Sequence, residues 1–181
     1  MTASDGGGSV FGGVAGGVAG GVVTMLADLA HPAHQRDIVA LTEAYACDPM
    51  GNGRSLGPEV LAELIPGLRR HPSTLVFLAY ADSKAVGIAT CFLGFSTFAA
   101  KPLINIHDLA VLPGHRGQGI GKRLLAAVEQ AGRERGCVKL TLEVNVNNTR
   151  AKHTYESFGF RHTGADTPAG GQLFFFKPLA P

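Results

Sequence analysis

Apolar positions first cluster in Val22–Leu29, a run short enough for a strand, which His31-Pro32 breaks. Ile38, Leu41 and Tyr45 then recur at helical spacing and predict an amphipathic helix over Ala33–Ala46. Asp48-Pro49-Met50-Gly51-Asn52-Gly53 has the composition of a loop. Pro58 suits the first turn of a second helix with Val60, Leu61 and Leu64 apolar, and Pro66-Gly67 is expected to interrupt or restart it. The period then shortens. Thr74–Tyr80 and Val86–Phe95 read as a hairpin turning at Asp82-Ser83-Lys84, and Leu103–Val111 reads as a third strand. Pro113–Gly121 is glycine-rich. Ile120, Leu124, Val128 and Ala131 stripe a helix that Gly136 stops. Lys139–Val144 reads as a strand, Thr149–Phe158 as a short helix ending at Gly159, and Phe160–Thr163 and Leu173–Lys177 as closing strands. The Phe174-Phe175-Phe176 run suggests core-facing rings or a dimer edge. A strand leading through a helix into a strand implies a parallel pair, Leu103–Val111 beside Lys139–Val144, within an α/β domain.

The chain has 181 residues, enough for one domain. Charged residues are 17% of it and the net charge is +2, which excludes a highly charged disordered chain and gives no clustered basic face for nucleic acid. Any basic role must be local. Cys47, Cys91 and Cys137 are odd in number and form no CxxC pair, so a reducing, cytoplasmic setting is expected. His31 and His34 lack a third ligand, and no metal is expected.

Glycine is the compositional outlier at 25 residues, nine of them between Gly6 and Gly21. The uncharged stretch Gly6–Ala27 is long enough to span a bilayer and carries GxxxG spacings. Glycine is nonetheless a poor helix former, and no Lys or Arg precedes the run. The expectation is a flexible tail over residues 1–21, no membrane span, and a folded domain over 22–181.

The remaining signal is Arg116-Gly117-Gln118-Gly119-Ile120-Gly121-Lys122, between a strand and a helix. Closely spaced glycines let backbone amides approach an anion, the helix start adds unpaired N–H donors, and Arg116 and Lys122 add charge. A pyrophosphate suits this arrangement. The dinucleotide fingerprint fails because Lys122 stands where its third glycine belongs, and the P-loop fails at Arg116 and Arg123.

Arg116-Gly117-Gln118-Gly119-Ile120-Gly121 resembles the acetyl-CoA signature of the GCN5-related N-acetyltransferase superfamily. Asn148, Ala151, Tyr155, Gly159 and Phe160 resemble its second signature at the family spacing, and Asp108-Leu109-Ala110-Val111 resembles the strand before the first. Gly94-Phe95-Ser96-Thr97-Phe98 and Ile106-His107-Asp108 resemble, less fully, the diamine and polyamine acetyltransferase branch; His107 replaces that branch's glutamate. The resemblance implies a mixed, mostly antiparallel sheet whose parallel pair splays apart, flanked by helices. It also implies acetyl transfer from acetyl-CoA to the amine of a small molecule. Leu109, Ala110 and Val111 would accompany the pantetheine arm, residues 116–122 would hold the pyrophosphate, and Asn148 would bond pantetheine or cap its helix. Tyr155 would protonate the departing thiolate, or serve only as core. His107 is the favoured general base and Glu143 the second candidate. Tyr45, Asp48, Phe95, His107 and Asp108 would line the acceptor side. Strand alternation lets His107 and Asp108 share that side only if a bulge intervenes. A protein α-amine or lysine as acceptor, and a non-catalytic acyl-CoA-binding domain, remain alternatives. Homodimers are frequent in this superfamily.

Overall fold

The computed structural model describes residues 21–162 and 171–179. The expected tail therefore lies outside the described residues, except Gly21. Among the described residues no helix is long and apolar enough to cross a membrane.

Among the described residues, seven strands form one sheet: β1 (Val22–Leu26), β2 (Thr74–Ala81), β3 (Lys84–Ser96), β4 (Lys101–Val111), β5 (Lys139–Asn145), β6 (Arg161–His162) and β7 (Gln172–Pro178). Four helices accompany them: α1 (Pro32–Ala46), α2 (Pro58–Arg70), α3 (Ile120–Glu134) and α4 (Thr149–Ser157). The strand order is β1-β2-β3-β4-β5-β7-β6. Every neighbouring pair is antiparallel except β4 and β5. The β2–β3 hairpin turns at Asp82 and Ser83, whose φ values of 48° and 64° match the mirror-image turns that suit twisted strands.

Strand alternation divides the core into two layers. Leu75, Phe77, Ala89, Cys91, Ile104 and Ile106 face α3, whose Ile120, Leu124, Leu125 and Val128 are fully buried against them. Val76, Leu78 and Ile88 face the other way and pack on Ile38 and Leu41 of α1 and Ile65 of α2. Burial on the scale of a whole leucine or isoleucine contributes about 1.5–3 kcal/mol, so each layer is held by several such residues.

Three expectations are corrected. Pro66 lies inside a continuous α2 and does not break it. Leu64, Ile65 and Leu68 pack on the α1-side core on both sides of the proline, and that burial offsets a proline cost of about 3 kcal/mol. The Phe174–Phe176 run does not turn all its rings inward. Phe175 is fully buried, whereas Phe174 is 42% exposed, because adjacent strand residues face opposite sides. The first strand also ends at Leu26, three residues short of the expected end. There Asp28 closes a turn by accepting the Ala30 N–H and by donating its own N–H to His34 Nδ1.

Candidate active site

The parallel strands pair only where Ile104, Asn105 and Ile106 meet Leu140, Thr141 and Leu142. Beyond that point β4 continues to Val111 and β5 to Asn145 without pairing to each other. On its other edge β4 stays zipped to β3, through Asp108–Thr90, Leu109–Ala89, Ala110–Ile88 and Val111–Gly87. The β5-facing edge of residues 107–111 is therefore a row of backbone groups open to an extended ligand. Leu109 and Val111 turn their backbone groups to it, the Val111 carbonyl being taken by Arg116, and Ala110 lies between them facing β3.

The bulge that the sequence made conditional is present. Thr90 pairs with Asp108 and Cys91 with Ile106, so His107 is the extra residue. Its ring stands 5.7 Å from Phe92, which in turn meets His71 at 5.0 Å. Asp108, the next residue, lies within electrostatic reach of His107, Tyr45 and Tyr155. Burial pushes the Asp108 carboxyl above its ordinary value, opposed by His107.

Tyr155 comes from α4. Asn148 caps that helix by accepting the Ala151 N–H at 3.1 Å. The Tyr155 ring is 7% exposed and packs on Phe160 and Phe175, with centroids 5.8 and 6.0 Å away. Burial, then Tyr45, then Asp108 push its phenol well above the usual tyrosine range. Tyr45, in the last turn of α1, is shifted upward by burial and by Asp108 and Asp48. Three elements remote in sequence thus bring Tyr45, Asp108 and Tyr155 within electrostatic reach of one another. Glu143 lies exposed on β5 opposite Phe174, between buried Leu142 and Val144, and so faces away from α3.

Gly117 and Gly119 adopt φ of 78° and 77°, with open space where a Cβ would sit. These left-handed residues turn the chain from the short 3-10 turn Pro113–His115 into α3. The first amide bonded at the helix start is Arg123 N–H, to the Gly119 carbonyl at 3.1 Å. The amides of Ile120, Gly121 and Lys122 precede it and have no acceptor within the helix. They suit an anion, and Lys122 stands exposed beside them. Gln118 reaches back to the Gly114 carbonyl at 3.3 Å.

Arg116 turns elsewhere. Its Nε donates to the Val111 carbonyl at 2.8 Å and its Nη2 to Asp48 Oδ2 at 2.6 Å. The guanidinium, with the Met50 amide, holds the Asp48 carboxyl below the usual carboxylate range. Phe95 lies away from the opening. It pairs with Pro102, six β4 positions before Asp108, roughly 20 Å along the strand, and is 63% exposed.

Some residues at the site carried no sequence signal. Glu43 anchors the loop between α1 and α2: its Oε2 accepts the Leu56 N–H at 3.0 Å and its Oε1 the Ser55 hydroxyl. Nothing local in the sequence pairs residue 43 with residue 55. Phe92 and His71 meet through folding alone. His107 and Asp108 could have pointed to Phe92, because it lies on the neighbouring strand. Among the described residues no group of His, Cys, Asp and Glu could hold a metal ion.

Comparison with known proteins places this geometry. Streptothricin acetyltransferase of Streptomyces lavendulae is 40% identical over 93 residues, 48% of this chain and 49% of that protein. Aminoglycoside N(6')-acetyltransferase type 1 of Salmonella typhimurium is 29% identical over 90 residues, 48% and 62% of the two chains. The chain thus spans between about half and three-fifths of the length of these relatives. In fold it is similar to an aminoglycoside acetyltransferase from an uncultured soil metagenomic sample, with a TM-score of 0.66, 23% identity, and coverage of 82% of this chain and 93% of that one. A model of the acetyltransferase (GNAT) family matches residues 38–160, from buried Ile38 of α1 to Phe160 beside Tyr155, and the chain belongs to that family.

Proposed function

We propose that the chain transfers an acetyl group from acetyl-CoA to a primary amine of a small molecule. The observation that carries this reading is the opening of the parallel pair after Ile106 and Leu142, with the amides of residues 120–122 near one end and Tyr155, Tyr45 and Asp108 beside it. The open edge of residues 107–111 has the extended backbone that a pantetheine arm, itself a chain of two amides, can follow as a peptide follows a sheet edge. The amides of Ile120–Lys122, with Lys122, would hold the pyrophosphate. Two relatives are named for streptothricin and for an aminoglycoside, which supports a small amine as the acceptor.

Acetyl-CoA supplies the activated acyl carbon and the thiolate leaving group. The protein must manage protons. An alkyl amine titrates near 10.4, so roughly one molecule in 10³ is nucleophilic at neutral pH, a cost of about 4–5 kcal/mol. Asp108 and His107, adjacent at the bulge, are placed to take the ammonium proton. The raised Asp108 carboxyl is a stronger base than an ordinary aspartate. Glu143 stays a second candidate on the facing strand. Tyr155 keeps its proton throughout the physiological range, because its phenol is shifted upward. It therefore serves as a hydrogen-bond donor to the departing thiolate, whose reference value is about 8.5.

A thiol-release screen of amines, amino acids and aminoglycosides with acetyl-CoA tests the reading. Tyr155→Phe is expected to lower kcat on the order of 10²-fold with acetyl-CoA affinity nearly unchanged. Silence of the wild type across the panel refutes the transfer reading, and an undiminished kcat in Tyr155→Phe refutes the donor role.

A further inference from the structure

Asp48 and Arg116 come from sequence regions with separate expected tasks, one lining the acceptor side and one holding a pyrophosphate. The geometry joins them. Both oxygens of the Asp48 carboxylate are used inside the protein: Oδ1 accepts the Met50 N–H at 2.8 Å and Oδ2 accepts from Arg116 at 2.6 Å. The Asp48 side chain is 12% exposed, which leaves little of it for a ligand amine. Arg116 spends its Nε on the Val111 carbonyl, at the end of the strand edge left open by β5. The Asp48 backbone also closes the loop after α1, accepting the amides of Gly51 and Gly53 at 2.8 and 3.1 Å. Its own amide is bonded to the Tyr45 carbonyl at 3.0 Å. Arg116 lines the narrow seam between α1 and β4 together with Tyr45, Ala110 and Val111. A continuous path of bonds therefore runs from β4 through Arg116 and Asp48 to Tyr45.

We propose that Asp48 is a positioning residue: through Arg116 it pins the loop after α1, and with it Tyr45, to the β4 end along which acetyl-CoA would lie. The inference rests on the transferase reading for its kinetic consequences, but its structural claim stands apart. Arg116 acts as the strut and the backbone amides of α3 bear the phosphates. The charge-assisted bond at 2.6 Å, partly shielded from water, is of the kind that fixes geometry. The charged groups acting on Asp48 are Arg116 and, at longer range, Arg150 at the start of α4.

The test is a double-mutant cycle with Asp48→Asn, Arg116→Met and the pair combined. Asp48→Asn keeps an acceptor for the Met50 N–H while removing the charge. Each single variant is expected to raise the acceptor KM about tenfold, with kcat at saturating amine and the acetyl-CoA Kd changing less than about threefold. The combined variant should be no worse than the worse single one, since both remove the same link. Multiplying effects overturn the proposal, because Asp48 would then act on the amine directly. An acetyl-CoA Kd weakened tenfold in Arg116→Met with the acceptor KM unmoved also overturns it, by making Arg116 a phosphate ligand. Hydrogen exchange gives a readout that needs no turnover. Arg116→Met should speed exchange of the peptide over residues 47–57 by about tenfold while peptides of β2 and β3 keep wild-type rates. Unchanged exchange over 47–57 overturns the proposal whether or not any amine is acetylated. Absence of turnover in the wild type refutes only the transferase reading.

Discussion

Gly51→Ala tests how tightly the acceptor-side loop is built. An added Cβ would lie 2.2 Å from the Tyr45 carbonyl oxygen and 3.1 Å from its carbon. An ordinary carbon–oxygen contact is about 3.3 Å, so the two must separate by roughly 1 Å. The obstructing atoms are backbone, and no rotamer change relieves the contact. The loop is held by Gly51 and Gly53 amides on the Asp48 carbonyl, and by Asn52 and Arg54 amides on the Ala46 carbonyl, at 2.8 to 3.2 Å. A shift of about 1 Å carries such bonds beyond hydrogen-bonding range. Losing one or two, at about 1 kcal/mol each, costs about 1–2 kcal/mol. For a domain of this size that lowers Tm by roughly 2–8 °C. Tyr45 moves with its carbonyl, so the acceptor KM should rise as well. Gly53→Ala is the control. Gly53 has φ of 65° and nothing within 4 Å of an added Cβ. Alanine there costs backbone strain of about 1–2 kcal/mol but leaves Tyr45 in place, so Tm should fall without a change in KM. Calorimetry and initial-rate kinetics on the three proteins decide the matter. A Gly51→Ala protein that melts within about 1 °C of wild type with an unaltered acceptor KM refutes the reasoning.

Other outcomes follow from the same geometry. Burial raises Asp108 in the folded protein, so the native state binds more protons than the unfolded one as this carboxyl titrates. Its contribution to stability is fully present below the unfolded aspartate value and declines as pH rises through the raised folded value. Asp108→Asn should therefore melt higher than wild type at pH 7, converge with it in acid, and lose at least tenfold in kcat/KM; equal Tm at pH 7 counts against the burial cost. Gly119→Ala places a side chain at φ of 77° with open space around it, so strain and not collision should weaken acetyl-CoA binding by about tenfold. Calorimetric titration measures this, and an unchanged Kd removes the loop from the binding site.

Local rules made much of this molecule legible. The glycines of residues 117–121 announced a loop whose backbone amides can approach an anion, and Gly117 and Gly119 take left-handed φ values there. Asn148 announced a cap because its spacing from Ala151 is a property of one helical turn. The parallel pair followed from a strand, a helix and a strand in succession. Tertiary facts stayed hidden. The charge on Arg116 was visible, but its partner lies 68 residues away, and only the folded seam shows that Asp48 takes it. Pro66 looked like an interruption because the packing that holds α2 together comes from other elements. Phe95 looked like part of the acceptor side by likeness, yet the β3–β4 register carries it to the far end of the hairpin.

The bulge at His107 has a consequence for how this chain can change over evolutionary time. A residue that a bulge adds to a strand has no cross-strand partner of its own, and His107 is exposed, with its ring against Phe92. Its replacement therefore disturbs neither the ladder nor the core, whereas the flanking Ile106 is 3% exposed and fixed by packing. Position 107 therefore lies beside the opening where substitution costs the fold little. Side-chain chemistry can be varied there one residue at a time, while the rest of the sheet carries the fold unchanged.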